Sequence, residues 1–350
     1  MFQDITVEEL MELQRNKKLT LIDVRSPSEY ADATIPGSLN IPVFNDEERA
    51  EIGTLYKQVG VDAAKERGLA IMSAKLPAFV KQFKEIEGDK AVYCWRGGMR
   101  SRTAATVLSL MDIHVSRISG GIKAYRKYVL DTMERLKLPA ESFVLHGLTG
   151  TGKTAVLKQL QEEGYPVLDL EGLAGHRGSI FGHIGLNASN QKSFDAKLFE
   201  RLKQLEHAPY IVFEAESKRI GKIVVPDFLM QMKEKGVAIV LELPMEERIR
   251  QIMEDYRPEE YQQQYLEAYR LIKGRIHTPI AAEIGKHLEE GRFAEGIRML
   301  LEHYYDPKYN YTASQYQDSE PITVSVRSVN EAADAVKEIL TKRGQLKTGA

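Results

Sequence analysis

The chain has a single cysteine, Cys94, among 350 residues. That excludes an internal disulfide and a thiolate metal cluster, so any chemistry at this sulfur is done by one thiol alone. No apolar run approaches the ~18 residues a membrane span needs. The N-terminal stretch MFQDITVEEL lacks the basic segment followed by an apolar one that marks a secretory leader. A cytoplasmic protein with no membrane partner is therefore expected. There is no excess of basic charge either. The formal net charge is -2, so a nucleic-acid partner would have to meet a local basic patch rather than the whole surface. Internal repeats and low-complexity tracts are missing. What remains is an ordinary globular composition, 43% hydrophobic and 28% charged, and a length that at ~150 residues per domain points to about two domains.

Taken in order, residues 5–15 predict a short amphipathic helix capped by Thr6, and Leu19 to Val24 predict a buried strand ended by Ser26-Pro27. IPGSLNIP, residues 35–42, is loop chemistry. Residues 46–87 are charged and helix-periodic, with breaks expected at Gly53, Gly60, Gly68 and Pro77. KAVYC is a short strand that stops at Cys94, and SRTAATVLSLM after it is helix-forming. A first α/β domain over residues 1–135 is expected, then a polar linker at 136–142 and a second domain over 143–340. Strands of the second are expected in PVLDL, YIVF, VAIVLEL and ITVSV, with a helical insertion near 245–303 and a frayed tail at 341–350.

The second domain opens on FVLHGLTGTGKT. Gly147-x-x-x-x-Gly152-Lys153-Thr154, after an apolar run and before a helix-forming one, is the pattern of a phosphate-binding loop. Gly147, Gly150 and Gly152 let successive backbone N–H groups point inward, with Thr149 and Thr151 between them. Lys153 adds a mobile positive charge, and the helix presents its positive end to an oligophosphate. Acids at strand ends beside such a loop commonly hold magnesium or its waters, with Thr154 as a direct ligand. DLEGLAGHRGS and FEAESKRIG supply them, Asp169 and Glu214 being best placed. Arg177, Lys218 and Arg219 could neutralise phosphate charge. For any one of these residues, a helix cap or surface ion pair is an equal alternative. His146 and His183 are read as structural.

Cys94-Trp-Arg96-Gly-Gly-Met-Arg100-Ser places a thiol, two glycines and two arginines in eight residues, between a strand end and a helix N-terminus. A loop this tight can aim its N–H groups at an anion on the sulfur, while Arg96, Arg100 and the helix dipole favour that negative charge. This suits a persulfide or its selenium equivalent. Around it, Arg96, Arg100, Arg102, Arg117, Lys123, Arg126 and Lys127 face a single acid, Asp112. That stretch is either a docking surface for an anion or a solvated helix face with loop arginines.

The cysteine loop resembles the active-site loop of rhodanese-like sulfurtransferases, and LIDVRSPSEY with IPGSLNIP resembles their earlier signature elements, although Ile35 stands where many members have histidine. With GLTGTGKT, DLEGLAGHRGS, FEAESKRIG and a late HYYDPKY at 303–309, the motif order is similar to that of the tRNA 2-selenouridine synthases. The resemblance implies a rhodanese-like α/β domain followed by a P-loop NTPase-like α/β domain with a helical insertion. It implies conversion of wobble 2-thiouridine in the tRNA anticodon loop to 2-selenouridine. The sulfur is first alkylated from geranyl diphosphate, and the S-geranyl group is then displaced using selenophosphate. Cys94 would handle selenium with Arg96 and Arg100, and Lys153 would assist diphosphate departure. Lys123, Arg126, Lys218 and Arg219 are candidate tRNA contacts. No tightly bound cofactor is expected beyond magnesium. The geranyl tail needs an apolar channel, for which Tyr256, Tyr261, Tyr265 and Tyr269 of the insertion are candidates, with ordinary core packing as the alternative. Two other readings stay open: an ATP-dependent tRNA thiolase, and a P-loop switch carrying a non-catalytic rhodanese-like module.

Overall fold

A computed structural model describes residues 2–16, 19–308 and 320–348. Tyr309, the last residue of the HYYDPKY motif, lies outside them, as do the final two residues of the expected tail. The chain divides into two units, one comprising Met1–Arg135 with Asp195–Glu200, the other Leu136–Phe194 with Arg201–Ala350.

The first unit is a five-stranded sheet built from β1 (Gln3–Ile5), β2 (Leu19–Asp23), β3 (Leu39–Asn40), β4 (Asp89–Tyr93) and β5 (Ser116–Ile118) in the order β1-β5-β4-β2-β3. Every pairing is parallel. Ile5, expected to open the first helix, instead ends the edge strand Gln3–Ile5 against β5, and the helix starts at Val7. Thr6 caps it reciprocally: its hydroxyl accepts the Glu9 N–H at 3.2 Å and its own N–H donates to Glu9 Oε2 at 2.7 Å. The charged stretch from 46 breaks only at Gly60 (φ +143°), giving helices Asp46–Gln58 and Val61–Lys84. Gly53, Gly68 and Pro77 lie inside them, contrary to expectation. For Gly68 and Pro77, tertiary burial overrides weak propensity: Ile71, Met72, Phe79, Val80 and Phe83 are buried along the second helix, and Met72, Phe79 and Phe83 join a core with Ile22 and Val92 of the sheet.

The carboxyl end of β2 is fixed by a buried ion pair. Arg25 donates through Nε to both Asp23 oxygens at 3.0 and 3.1 Å and through Nη2 to Oδ2 at 2.6 Å. Both side chains are essentially inaccessible, at 1% and 0%. Asn40 Nδ2 donates to the Asp23 and Arg25 carbonyls, each at 2.9 Å, so the LIDVRS segment and the IPGSLN loop form one network. Tyr93 joins it: its hydroxyl lies 2.6 Å from Thr34 Oγ1, accepts the Ile35 N–H at 3.1 Å and donates to Ser38 Oγ at 2.8 Å. Burial, and then the Asp23 charge, push the Tyr93 phenol well up, so it stays neutral.

The second unit holds β6 (Ser142–Gly147), β7 (Val167–Leu168), β8 (Ile211–Glu214), β9 (Arg219–Ile220), β10 (Ile223–Val224), β11 (Val237–Glu242) and β12 (Ile322–Ser325). Five of them make a parallel sheet in the order β12-β11-β6-β8-β7, and β9 and β10 form a separate antiparallel ribbon. The central strand is β6, which delivers the glycine loop. Val156, Leu157 and Leu160 of the following helix, with Val329, Ala332, Val336 and Leu340 of the last one, pack on this sheet. That last helix runs Val329–Thr348, so the backbone stays helical through most of the tail expected to fray. The insertion is four helices, Met245–Tyr256, Gln262–Ile272, Thr278–Glu289 and Phe293–Leu300, with a π-helical turn at Leu301–Tyr305. They enclose a core of their own together with Phe181 and Ile184. Among the described residues no helix is long and apolar enough to cross a membrane.

Because Arg25 and Asp23 are fully buried, Arg25→Ala leaves an uncompensated carboxylate and is expected to destabilise the protein by about 3–5 kcal/mol in urea unfolding. A loss below about 1 kcal/mol would show that the pair does not hold the β2 end.

Candidate active sites

The first site begins where β4 ends. Cys94 leads a loop lying directly on the Ile118–Gly121 turn: the Cys94 carbonyl accepts the Ile122 N–H at 3.0 Å and the Trp95 carbonyl accepts the Lys123 N–H at 3.1 Å. Glycine is required at Gly121 (φ +57°), since a Cβ there would lie 2.1 Å from the Cys94 oxygen. The Cys94 sulfur is buried, 3.2 Å from Ser101 Oγ in the first turn of helix Met99–Leu110. Ser101 was not singled out from sequence, though its place seven residues on, inside a helix N-terminus, was the available signal.

The expected arginines divide their roles. Arg96 is exposed. Arg100 is held in a two-pronged pair with Glu29, donating through Nη2 at 3.1 Å and through Nη1 to the other oxygen. Burial would raise the Glu29 carboxyl, but the hydrogen bond and charge of Arg100 hold it below its usual range. Arg117 contacts the loop itself, donating to the Gly97 carbonyl and, through Nε at 2.7 Å, to Asp4. Lys123 is exposed and Arg126 half-buried on helix Gly121–Met133, which starts from the same turn.

The second site begins where β6 ends. Gly147, Gly150 and Gly152 all have positive φ, at +150°, +84° and +73°. None has room for a side chain: a Cβ would meet Thr151 Oγ1 at 2.5 Å, the Arg248 carbonyl at 2.8 Å and Val329 at 2.5 Å, respectively. Thr151 donates its hydroxyl to the Leu148 carbonyl at 2.9 Å, closing the turn. Lys153 curls over the loop, its Nζ 3.0 Å from the Gly147 oxygen and 3.4 Å from that of Leu148. The Thr149 carbonyl accepts from Arg248 Nε at 2.9 Å, while both Arg248 Nη atoms bind Asp306 at 2.9 and 2.6 Å. The described part of the HYYDPKY motif thus acts as a brace for the loop. No local sequence signal predicts this pairing, since its partners lie 58 residues apart.

Behind the loop stand Glu171, Glu214 and Glu216, with carboxylate oxygens all within 4.8 Å of one another. Thr154 Oγ1 is 3.0 Å from Glu171 and 3.4 Å from Glu214. Asp169, one of the two acids favoured from sequence, is not in this cluster. Its Oδ1 accepts the Gly172 N–H at 2.7 Å and caps the short helix Leu170–Ala174. An aspartate just before a helix prefers that role. Glu171 takes its place, and Glu216 is brought back beside Glu214 by a tight turn in which the Glu216 N–H donates to the Glu214 carbonyl at 2.8 Å. Gly178 (φ +69°) packs on the cluster, where a Cβ would sit 2.9 Å from Glu216 and 3.2 Å from Glu171.

Crowding sets the protonation. Burial first, then the charges of Glu171 and Glu216, push the Glu214 carboxyl well above its ordinary 4.5, and Lys153 only partly opposes this. Burial and Glu216 push Glu171 up as well, and burial raises Glu216. Lys233, unremarked in the sequence, donates to the Glu216 carbonyl at 3.0 Å. Arg177 spends its guanidinium on the Ile184 and Asp255 carbonyls at 3.0 and 2.6 Å and stacks on Tyr256 at 4.5 Å. Lys218 binds the Val225 carbonyl at 2.6 Å and pairs with Asp227, and Arg219 is exposed. His146 is buried, and burial with the nearby Lys233 and Lys153 charges lowers it to about 4. His183 stacks on His176 at 6.3 Å.

The raised carboxyls carry a stability consequence. A group with a raised folded-state pKa contributes stability below its unfolded value, and that contribution is lost as pH rises through the folded one. The ligand-free protein should therefore lose thermal stability above pH 4.5. Glu214→Gln is expected to raise the unfolding midpoint at about pH 8 by roughly 2–4 °C and to change it little near pH 5. A pH-independent effect of the substitution, measured by calorimetry, would contradict the assignment.

Comparison with known proteins covers both units. The family model of the tRNA 2-selenouridine synthase AAA domain matches residues 140–293, and that of the rhodanese-like domain matches residues 6–128. A tRNA 2-selenouridine synthase of Sulfurovum sp. (strain NBC37-1) is 35% identical over 329 residues, covering 83% of this chain and 88% of the relative. That of Hydrogenovibrio crunogenus (strain DSM 25203 / XCL-2) is 32% identical over 359 residues, covering 93% and 96%. With its cysteine loop in a rhodanese-like domain and its glycine loop in a P-loop domain, the chain belongs to the tRNA 2-selenouridine synthase family.

Proposed function

We propose that this protein converts wobble 2-thiouridine of tRNA to 2-selenouridine in two steps, using geranyl diphosphate and then selenophosphate. The observation that carries the first step is the braced glycine loop with Lys153 folded over it. In that step the thiocarbonyl sulfur attacks C1 of the geranyl group. The C–S bond forms as the C–O bond breaks, and diphosphate leaves with the bonding pair. Backbone N–H groups of residues 147–154 and the Lys153 ammonium stabilise that growing charge, so no nucleotide need be consumed.

The oxygen-only set of Thr154, Glu171, Glu214 and Glu216 fits a hard divalent cation such as magnesium, and a cation there would relieve the crowding of three buried carboxyls. Bound there, magnesium would supply further positive charge beside the diphosphate. In the second step the selenium of selenophosphate, received beside Cys94, bonds to C2 of the base, geranyl thiolate leaves with the C–S bonding pair, and water takes up the phosphoryl group as the P–Se bond breaks. Ser101 Oγ and the turned backbone can stabilise a chalcogen anion at Cys94. Arg96, in the open beside the loop, is offered to incoming selenophosphate. Lys123, Arg126 and Arg219 are the basic groups best placed for tRNA phosphates, while Lys218 would first have to leave Asp227.

The two sites are separable by mutation. With thiolated tRNA, geranyl diphosphate and selenophosphate, Lys153→Ala is expected to lower the geranylated nucleoside by at least about 100-fold. Cys94→Ala should leave geranylation and stop selenation, read by mass spectrometry of digested nucleosides. The reverse pattern would overturn the assignment, and a requirement for ATP in place of geranyl diphosphate would favour a nucleotide-dependent thiolase.

A further inference from the structure

The shape of the cysteine loop depends on where its carbonyls go. Those of Cys94 and Trp95 accept the Ile122 and Lys123 N–H groups, and that of Gly98 accepts the Arg102 N–H at 3.1 Å. These contacts are made by backbone, so they do not depend on the side chains at 102, 122 and 123. The Gly97 carbonyl is different, because it accepts from Nη1 of Arg117. A single side chain on β5 sets the direction of that peptide.

The peptide it holds joins two glycines. In a trans peptide the C=O and the next N–H point in opposite directions, so the Gly98 N–H faces away from Arg117. Turning the plane over would rotate ψ of Gly97 and φ of Gly98 by about 180°, and glycine takes the resulting positive φ as readily as its present -90°. Packing does not resist the turn at 98 either, where a Cβ would meet nothing within 4 Å. Gly97 (φ +63°) is pressed on the Ile118–Gly121 turn, and a Cβ there would lie 2.8 Å from the Gly120 nitrogen.

Arg117 is itself held from its far side. Its Nε donates to Asp4 at 2.7 Å and its Nη2 to the other Asp4 oxygen, while the Phe2 ring centre lies 5.6 Å from the guanidinium carbon. The Asp4 hydrogen bond raises the Arg117 pKa most; burial opposes this, and the charges of Asp4 and Cys94 add to the rise. The group stays charged and fixed.

We infer that Arg117 is a positioning residue of the cysteine loop: by pinning the Gly97 carbonyl it keeps the Gly98 N–H turned toward the chalcogen anion beside Cys94, with Asp4 of the edge strand as its anchor. The inference rests on the selenium role of Cys94 proposed above and adds the group that holds the loop in its donating form. A flipped peptide would present a carbonyl oxygen to the anion in place of an N–H, exchanging attraction for repulsion. Arg96 and Arg100 do not take over this task, since the first is exposed and the second is paired with Glu29.

The test is steady-state selenation of S-geranylated tRNA at varied selenophosphate, with Cys94→Ala run alongside. Arg117→Met is expected to lower kcat by about 100-fold, the loss that follows removal of one preorganised N–H donor, and to leave the KM for selenophosphate within about threefold. Asp4→Asn, which keeps the arginine and loosens its anchor, should lower kcat by about fivefold. The decisive variant is Arg117→Met combined with Gly98→Ala. Alanine has room at 98 in the present conformation and resists the flipped one, so it should restore kcat by about tenfold over Arg117→Met alone. A methyl group cannot replace a lost charge, so a double variant no faster than Arg117→Met overturns the inference, as does a rise in KM with kcat unchanged. Failure of the Cys94 reading shows elsewhere: selenation that persists in Cys94→Ala overturns that reading, and the inference with it, whatever the arginine variants do.

Discussion

A loop that offers its backbone N–H groups to an anion must be kept from collapsing onto its own carbonyls. In the second unit that constraint falls on Arg248, which is buried in the insertion, holds the Thr149 carbonyl and is itself gripped by Asp306. The glycines supply the necessary backbone angles, but their neighbours make those angles obligatory: Thr151, the Arg248 carbonyl and Val329 each occupy the space a side chain would need. Insertion, sheet and final helix all converge on eight residues. The cradle is therefore preformed, so that in the proposed alkyl transfer charge developing on a departing diphosphate would meet dipoles already in place.

The cysteine loop solves a related problem in the first unit with different parts. No arginine grips it from a buried position; it rests on the Gly120–Gly121 turn, and two carbonyls of the loop accept N–H groups from the helix that follows. Arg117 holds the Gly97 carbonyl from the side. Behind it, the Asp23–Arg25 pair and the Tyr93 hydroxyl network lock the neighbouring strand end and the IPGSLN loop together. Both loops lie at the carboxyl ends of parallel strands, where helix N-termini also point, and each is handed an anion in the proposed chemistry.

Both loops, the order of the domains and the strands that deliver them were legible in the sequence, because each is encoded within a dozen contiguous residues by glycine, strand and helix signals. The acid cluster was half legible. Glu214 was found, whereas Asp169 looked equally good until its capping bond to Gly172 assigned it elsewhere. A carboxylate beside a helix start has two uses, and only the neighbouring N–H decides between them. Gly68 and Pro77 read as breaks because propensity is local, while the burial that keeps their helix intact comes from strands and loops far away in sequence. The Arg248–Asp306 brace was illegible for the same reason. It exists only once the insertion has folded against the loop.

The central claim is that the glycine loop serves alkyl transfer from a diphosphate ester. The most direct measurement is release of inorganic diphosphate from geranyl diphosphate by the wild-type protein, in buffer free of nucleotides, with and without thiolated tRNA. The account predicts release only with thiolated tRNA, one diphosphate for each geranyl group joined to the RNA. Release that needs ATP, or that proceeds equally without the tRNA sulfur, would contradict it.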